Sequence, residues 1–150
     1  MPWKTTLQRS KKDKAEGKAP STQAGEFVRE EIEHIRRGKH GARSSKQAIA
    51  IGLSKARRSG VKLGPPKAGT TTVQTRKQAQ RDLAKGQSGR KSSAKRSAAS
   101  ERALKREPRS AASHTALSKQ AKSAARKRTK ASRRQAAKKA AFTRQRSRAA

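Results

Sequence analysis

The sequence predicts a mostly α and disordered chain, in which a small N-terminal αα-hairpin is followed by a long basic arm that is disordered or conditionally helical. The 150 residues include 42 Lys and Arg against nine Asp and Glu, for a formal net charge of +33. Only 15 residues are Leu, Ile, Val or Phe, well under the roughly 20% below which a highly charged chain is usually disordered. A single core spanning the whole length is therefore excluded.

Charge and apolar residues are divided unevenly along the chain. Residues 1–64 hold 16 Lys and Arg against six Asp and Glu, whereas residues 65–150 hold 26 against three. Of the 17 large apolar residues, 12 lie in the first part, so any core is expected there. The predicted divisions are a basic N-terminal segment (1–20), a helical hairpin module (21–64), a Pro/Gly/Thr linker (65–74) and a low-complexity basic arm (75–150).

The first predicted helix covers about residues 23–37, between a start signal at Ser21 and a stop at Gly38. Its apolar residues recur at spacings of three and four, which places them on one face. That face comprises Ala24, Phe27, Val28, Ile32 and Ile35. The acidic residues expected on the opposite side are Glu26, Glu30 and Glu33. Glu33 precedes Arg37 by one turn and is expected to pair with it.

A second helix is predicted from the capping box of Ser44 and Gln47 to the stop at Gly60. Residues 48–53 also alternate with a period of two, so a short strand competes with the helix. The cap, the stop and the flanking helix formers favour the helix. Gly52 would let another backbone approach closely. The helical stripe comprises Ile49, Leu53 and Ala56.

The two helices are expected to form a hairpin with their apolar faces together. The predicted core or partner face comprises Phe27, Val28, Ile32, Ile35, Ile49 and Leu53. About 40 residues make a marginal core, and three outcomes stay open. Trp3 and Leu7 dock onto the hairpin, two copies form a homodimer through the same faces, or the hairpin orders only when bound to a partner.

The low-complexity arm begins with a short candidate helix over residues 76–85, with Thr75 as cap and Gly86 as stop. Its apolar stripe is too thin to fold alone. Farther on, residues 114–141 contain no Pro or Gly and have a high helix propensity. Repulsion among the cations opposes that helix. We therefore expect an arm that is disordered when free and partly helical on phosphates.

The basic arm predicts binding to nucleic acid through backbone phosphates, because no acidic residue follows Glu107. Duplex DNA is favoured over RNA, since the chain has only three aromatic residues on which bases could stack. The candidate DNA-binding residues are Lys46, Lys55, Arg57, Arg58, Arg126, Lys127, Arg128, Lys130, Arg133, Arg134, Lys138 and Lys139. A DNA-binding helix-turn-helix is disfavoured, because the connection of about six residues is longer than the usual three or four.

The expected function is that of a non-enzymatic, largely sequence-independent, nucleoid-associated and histone-like protein that bridges or compacts DNA. An RNA- or ribosome-associated basic protein is the main alternative. A polybasic adaptor for acidic proteins or anionic membranes is a third, although the arm lacks apolar residues for membrane insertion.

Catalytic and metal sites are not predicted. His34, His40 and His114 are isolated, and the pair of Glu30 and His34, one helical turn apart, lacks a third ligand. The chain has no Cys, no phosphate-binding glycine motif and no catalytic triad. We therefore expect no enzyme activity, no metal, no cofactor and no small-molecule substrate.

No membrane span is expected either. The longest run without a polar side chain is six residues long, against the roughly 20 that a span requires. No apolar block follows the basic N-terminus, so a secretory signal is not expected. A cytoplasmic location at the nucleoid follows from this prediction.

The stretch S-S-K-Q-A-I-A-I-G-L-S-K-A-R-R at residues 44–58, preceded by Glu26-Phe27 and His40-Gly41, resembles a family of small basic bacterial proteins that carry a domain of unknown function. The resemblance covers about residues 23–66 and implies a bacterial origin and helicity. The arm resembles the basic tails of bacterial linker-histone-like proteins in composition only.

Overall fold

The computed structural model describes residues 2–89 and 93–148, and every regular element in that part of the chain is helical. The elements are α1 (Lys4–Ala15), α2 (Pro20–Arg36), α3 (Ser45–Arg58), α4 (Val73–Ser88), α5 (Ala94–Lys105), a 3-10 turn (Ser110–Ala112), α6 (His114–Arg126) and α7 (Lys130–Arg148). The chain forms two compact units, Met1–Ser113 and His114–Ala150. Among the described helices, none is long and apolar enough to cross a bilayer.

Helices α2 and α3 form the predicted hairpin, and the competing strand over residues 48–53 is absent. Ser44 caps α3, because its hydroxyl accepts a hydrogen bond from the Gln47 amide at 3.2 Å. The two helices approach closely at Gly52, where an added Cβ would lie 2.6 Å from the Cα of Val28. A glycine inside α3 is therefore what allows this helix pair to pack.

The core of the first unit is small and draws on more than the hairpin. Its buried members are Ala24, Phe27, Ala56 and Val61, with Leu7, Leu53 and Leu63 packed against them. From the predicted face, Phe27, Ile32 and Ile35 are buried, whereas Val28, Ile49 and Leu53 are half-buried.

Helix α1 packs on α2 and covers part of the hairpin. Leu7 joins the core, and the Trp3 ring meets the His34 ring edge-on with 4.6 Å between their centroids. Lys18 and Asp13 close the connection between the two helices with an ion pair of 2.8 Å. Of the three outcomes left open for the hairpin, docking of Trp3 and Leu7 is the one that this structure contains.

Helix α4 is longer than the candidate over residues 76–85 and packs against α3. Gly86 does not stop it. An added Cβ at Gly86 would lie 2.0 Å from the Arg57 carbonyl oxygen, so this glycine is a contact point between helices. The carboxylate of Asp82 accepts a hydrogen bond from the Ser54 hydroxyl at 2.5 Å. Polar and backbone contacts with α3 thus hold α4 in place, because the apolar stripe of α4 is too thin to do so.

A segment from the second half of the chain docks onto the connection between α2 and α3. The Gly41 amide donates to the Leu104 carbonyl at 2.9 Å, and the Ala42 amide donates to the Pro108 carbonyl at 3.0 Å. The Ser45 hydroxyl donates to the Ala111 carbonyl at 2.7 Å. Residues 104–112 therefore belong to the folded first unit.

The prediction of a disordered basic arm after the linker is wrong, because the described residues of 73–146 form helices. Two physical reasons account for the difference. Part of the predicted arm is held by the backbone contacts at Gly41 and Ala42 described above. Beyond Pro108 the sequence has neither Pro nor Gly, and its Ala, Lys, Arg and Gln are strong helix formers. In α6 and α7 helix propensity therefore outweighs the repulsion among the cations.

Candidate functional site

In the second unit every residue with a charged side chain is a Lys or an Arg. Residues 114–150 include 13 Lys and Arg and no Asp or Glu. All eight cations predicted in this part of the chain have exposed side chains. They are Arg126, Lys127, Arg128, Lys130, Arg133, Arg134, Lys138 and Lys139.

Helix α7 concentrates part of this charge on one side. Residues at spacings of three, four and eight share a helix face, and four cations follow that spacing. We call them the α7 stripe: Lys130, Arg133, Arg134 and Lys138. At 1.5 Å per residue the stripe extends roughly 12 Å along the helix. Thr129 fixes the start of α7, since its hydroxyl accepts from the Ser132 amide at 3.2 Å.

Helix α6 carries a second group of cations around a shallow depression of about 320 Å³. Spacings of three and four place its helical cations on one face. The lining residues are Lys119, Lys122, Ser123, Arg126 and Lys127. Four positive charges border this depression without an acidic residue, which suits a polyanion.

The four candidate cations of α3 lie in different environments. Lys46 and Arg58 are exposed. Lys55 forms an ion pair with the buried Glu31 at 2.5 Å. Arg57 is buried and donates to the carbonyl of Leu63 at 3.1 Å. Burial lowers the pKa of Arg57. The structure therefore leaves only Lys46 and Arg58 of this set on the surface.

A cluster of buried ionisable side chains lies in the first unit. We call Glu30, Glu31, His34 and His40 the His–Glu cluster. Glu31 is completely buried, and Glu30 and His34 are only 3% and 7% exposed. The placement of Glu30 on the outer side of the helix was therefore wrong. His40 is half-buried and returns toward α2 after the left-handed turn at Gly38, where φ is 74°.

The distances within this cluster are short. The His40 Nε2 atom lies 3.2 Å from Glu31 Oε1, and His34 Nδ1 lies 4.0 Å from Glu31 Oε2. His34 Nε2 faces Glu30 Oε1 at 3.6 Å. One ligand atom each from Glu31, His34 and His40 can be chosen so that all three atoms lie within 4.8 Å of one another.

Two neighbours satisfy part of the cluster. The Trp3 backbone amide donates to Glu30 Oε2 at 3.1 Å, and the Lys55 ammonium donates to Glu31 Oε2 at 2.5 Å. Three buried atoms have no hydrogen-bond partner: Glu30 Oε1, Glu31 Oε1 and His34 Nε2. Burial lowers the pKa of His34, and the charge of Lys55 adds to that effect against the opposing effect of Glu30. This environment favours the neutral imidazole.

Only one part of the cluster is visible in the sequence, namely the one-turn spacing of Glu30 and His34. The structure adds the third partner that the pair lacked, because Glu31 sits beside it and His40 folds back. The available signal was a Glu-Glu-x-x-His pattern followed by His40 just beyond the turn at Gly38. Nothing in the spacing shows that Lys55 of another helix would meet Glu31.

Residues 11–68 match the profile of a family of unknown function (DUF6496). This stretch includes α2, α3 and the complete His–Glu cluster, and it supports the expectation of a domain of unknown function near residues 23–66. No curated protein and no solved structure matches the chain significantly.

Proposed function

We propose that this chain is a non-enzymatic, largely sequence-independent DNA-binding protein of the nucleoid, which neutralises backbone phosphates and thereby compacts DNA. The observation behind the proposal is the second unit, in which residues 114–150 include 13 Lys and Arg and no acidic residue. Cations that meet phosphates displace condensed counterions, and this entropy gain requires no base contacts.

The helical form of α6 and α7 strengthens the proposal. A cation on a rigid helix loses less conformational entropy on binding than the same cation on a disordered arm. Spacings of three and four along α7 and α6 line up side chains that can each approach a phosphate. The α7 stripe and the depression on α6 are therefore two preformed phosphate-binding surfaces.

The scarcity of aromatic side chains favours duplex DNA over a single strand. Single-strand binding surfaces combine cations with aromatic rings on which bases stack. Within the described residues of the second unit, Phe142 is the one aromatic side chain, and it is 66% exposed. Backbone binding to a duplex needs no such platform.

The direct test compares two variants of the full chain that lose the same charge. In the stripe variant, Lys130, Arg133, Arg134 and Lys138 become Gln. In the control variant, four exposed cations of the first unit become Gln: Lys11, Lys14, Arg76 and Lys77. Duplex affinity is measured over a salt series by fluorescence anisotropy with two unrelated DNA sequences.

We expect the stripe variant to bind more weakly and to have a log–log salt slope shallower by about three to four, because each lost phosphate contact contributes about 0.9. The control variant should keep most of the affinity and the slope. Equal losses in both variants would show that binding is not located on α7. A strong preference for one of the two sequences would contradict phosphate-only recognition.

Cross-linking in cells distinguishes DNA from RNA as the partner. We expect cross-linked material that disappears with DNase and persists with RNase. The opposite result would reject the DNA proposal in favour of an RNA- or ribosome-associated role.

A further inference from the structure

We propose that the His–Glu cluster is a binding site for a divalent transition-metal ion of the Zn²⁺ class, with Glu31, His34 and His40 as its protein ligands. The site is independent of the cationic surface on α6 and α7. Three observations carry the proposal: unpartnered buried atoms, an unbalanced buried charge, and the relative geometry of His40 and Glu31.

The His–Glu cluster contains buried polar atoms that lack a hydrogen-bond partner. Buried polar atoms in folded proteins are nearly always hydrogen-bonded, and each exception calls for a physical explanation. Among the residues that the structure describes, the exceptions all lie in this cluster, where Glu30 Oε1, Glu31 Oε1 and His34 Nε2 lack a hydrogen-bond partner. Two of these atoms are carboxylate oxygens, which can accept a proton or bind a cation.

The charge balance points to a missing cation. Glu30 and Glu31 are both at least 97% buried, and Lys55 pairs directly with Glu31. Lys55 occupies Glu31 Oε2 and leaves Oε1 available. Burying an uncompensated carboxylate is very costly, so a further positive charge at this position stabilises the fold.

His40 is oriented in the way that a metal ligand requires. Its Nδ1 atom lies 3.0 Å from the Gly41 carbonyl oxygen, which accepts only, so a hydrogen bond between them requires the tautomer with the proton on Nδ1. The lone pair of Nε2 is then available on the side where Glu31 Oε1 lies 3.2 Å away. Metal-ligating histidines ordinarily donate their other ring N–H to a carbonyl or a carboxylate in this manner.

The distance between His40 Nε2 and Glu31 Oε1 is compatible with two ligands of one ion. Glu31 Oε1 has no hydrogen-bond partner, so an N–H on Nε2 would not point at this oxygen. Two ligand atoms about 2.0–2.2 Å from a tetrahedral Zn²⁺ ion lie roughly 3.3–3.5 Å apart, close to the observed 3.2 Å.

His34 and Glu30 complete the arrangement. His34 Nδ1 faces Glu31 at 4.0 Å, and its other nitrogen faces Glu30 Oε1 at 3.6 Å. Glu30 is thus placed to orient His34 rather than to bind the ion, the arrangement common around zinc-bound imidazoles. Imidazole nitrogens and one carboxylate favour Zn²⁺ over Mg²⁺ or Ca²⁺, which take oxygen ligands.

Because the three ligands come from α2 and from the loop after it, such an ion would have a structural role. The ion would hold His40 against α2. The neighbouring residues Gly41 and Ala42 donate hydrogen bonds to carbonyl oxygens of residues 104–108. Metal binding would therefore stabilise the loop onto which the later segment docks.

The test titrates Zn²⁺ into the full chain after chelator treatment and dialysis, followed by calorimetry. The chain has three histidines, and the exposed His114 of α6 lies outside the cluster, so H114Q is a matched control for H40Q. We expect one Zn²⁺ per chain in the wild type and in H114Q, and a Kd weaker by roughly 100-fold or more in H40Q. Far-UV circular dichroism checks that H40Q keeps its helices.

A second readout uses the wild-type chain and does not depend on how the variant folds. Zn²⁺ should shift the ring NMR signals of two histidines and leave that of His114, assigned with H114Q, unchanged. The single tryptophan, Trp3, reports the same event by fluorescence, because its ring contacts His34. Absence of Zn²⁺ binding, equal affinity of H40Q and wild type, or a shift of His114 alone would overturn the proposal. Tighter binding of Mg²⁺ than of Zn²⁺ would overturn the metal class.

Discussion

At the scale of single residues, Asp82 shows how a scarce acidic side chain is used. It is one of three acidic residues after Gly64 and is only 3% exposed. Its carboxylate accepts from the Ser54 hydroxyl at 2.5 Å and from the Gln78 amide at 3.2 Å, and Arg58 lies 3.7 Å away. In a chain of net charge +33, one carboxylate thus attaches α4 to α3.

The D82N substitution should therefore destabilise the first unit. An amide keeps the shape of the side chain but removes the charge that attracts Ser54 and Arg58. We expect the free energy of unfolding to fall by about 1–3 kcal/mol, measured by urea denaturation with circular dichroism. The control is E101Q, since Glu101 is exposed and pairs with Lys105 at 3.0 Å on the surface. If the two variants proved equally stable, Asp82 would not hold α4 in place.

The same scale shows a limit of sequence reasoning. Amphipathic spacing assigned Glu30 to solvent, because charged residues opposite an apolar face are normally exposed. The residue is buried because the Trp3 amide and the His34 ring cover it. Trp3 precedes it by 27 positions, and no local pattern specifies that contact. The candidate metal site was missed because the sequence pattern does not show that His40 folds back toward Glu31 and His34.

At the scale of elements, the hairpin was predictable from local signals. The bounds of α2 and α3 were predicted to within a few residues from three signals: the Ser44 cap, the Ser59–Gly60 stop and the apolar spacing on both helices. These signals are readable in the sequence because they act within one or two turns. The length of α4 was not predictable in this way. Gly86 has the composition of a stop signal, yet its contact with Arg57 of another helix keeps it inside α4.

Two glycines in the hairpin should respond in opposite directions to substitution by alanine. At Gly52 a Cβ would lie 2.6 Å from the Val28 Cα, closer than real Cβ atoms approach a non-bonded atom. G52A should lower the free energy of unfolding by about 1–3 kcal/mol despite its better helix propensity.

Gly25 is the matched control, because it lies in α2 with nothing within 4 Å of an added Cβ. G25A should raise the free energy of unfolding by up to about 1 kcal/mol, since alanine is the better helix former. Chemical denaturation of both variants measures the two signs. Stabilisation by G52A would mean that α2 and α3 do not approach as described.

At the scale of the whole molecule, the two units differ in how charge is balanced. All nine acidic residues lie within Met1–Ser113, alongside 29 Lys and Arg, and His114–Ala150 has 13 cations with no acid. Composition alone located this imbalance correctly. It could not establish helicity, because helix propensity and repulsion between like charges oppose each other with similar magnitudes in α6 and α7.

This imbalance predicts that salt stabilises the free protein. Screening shortens the range of repulsion between exposed cations from about 10 Å at 0.1 M to about 3 Å at 1 M. We expect the helical signal of the free chain to persist to higher temperature as NaCl increases, measured by circular dichroism melts. The stripe variant should show a smaller response because it has fewer cations on α7. A melting temperature that fell with added salt would contradict this account.

The docking of residues 104–112 onto the loop near Gly41 also has a consequence for biosynthesis. The Ser45 hydroxyl meets a carbonyl 66 positions later in the chain, so its partner does not exist while the early helices leave the ribosome. During that interval the loop amides of Gly41 and Ala42 can bond only to water. The first unit reaches its final hydrogen bonding only after residue 111 has been translated, and the cationic helices α6 and α7 emerge after it, from a ribosome whose own RNA is a polyanion.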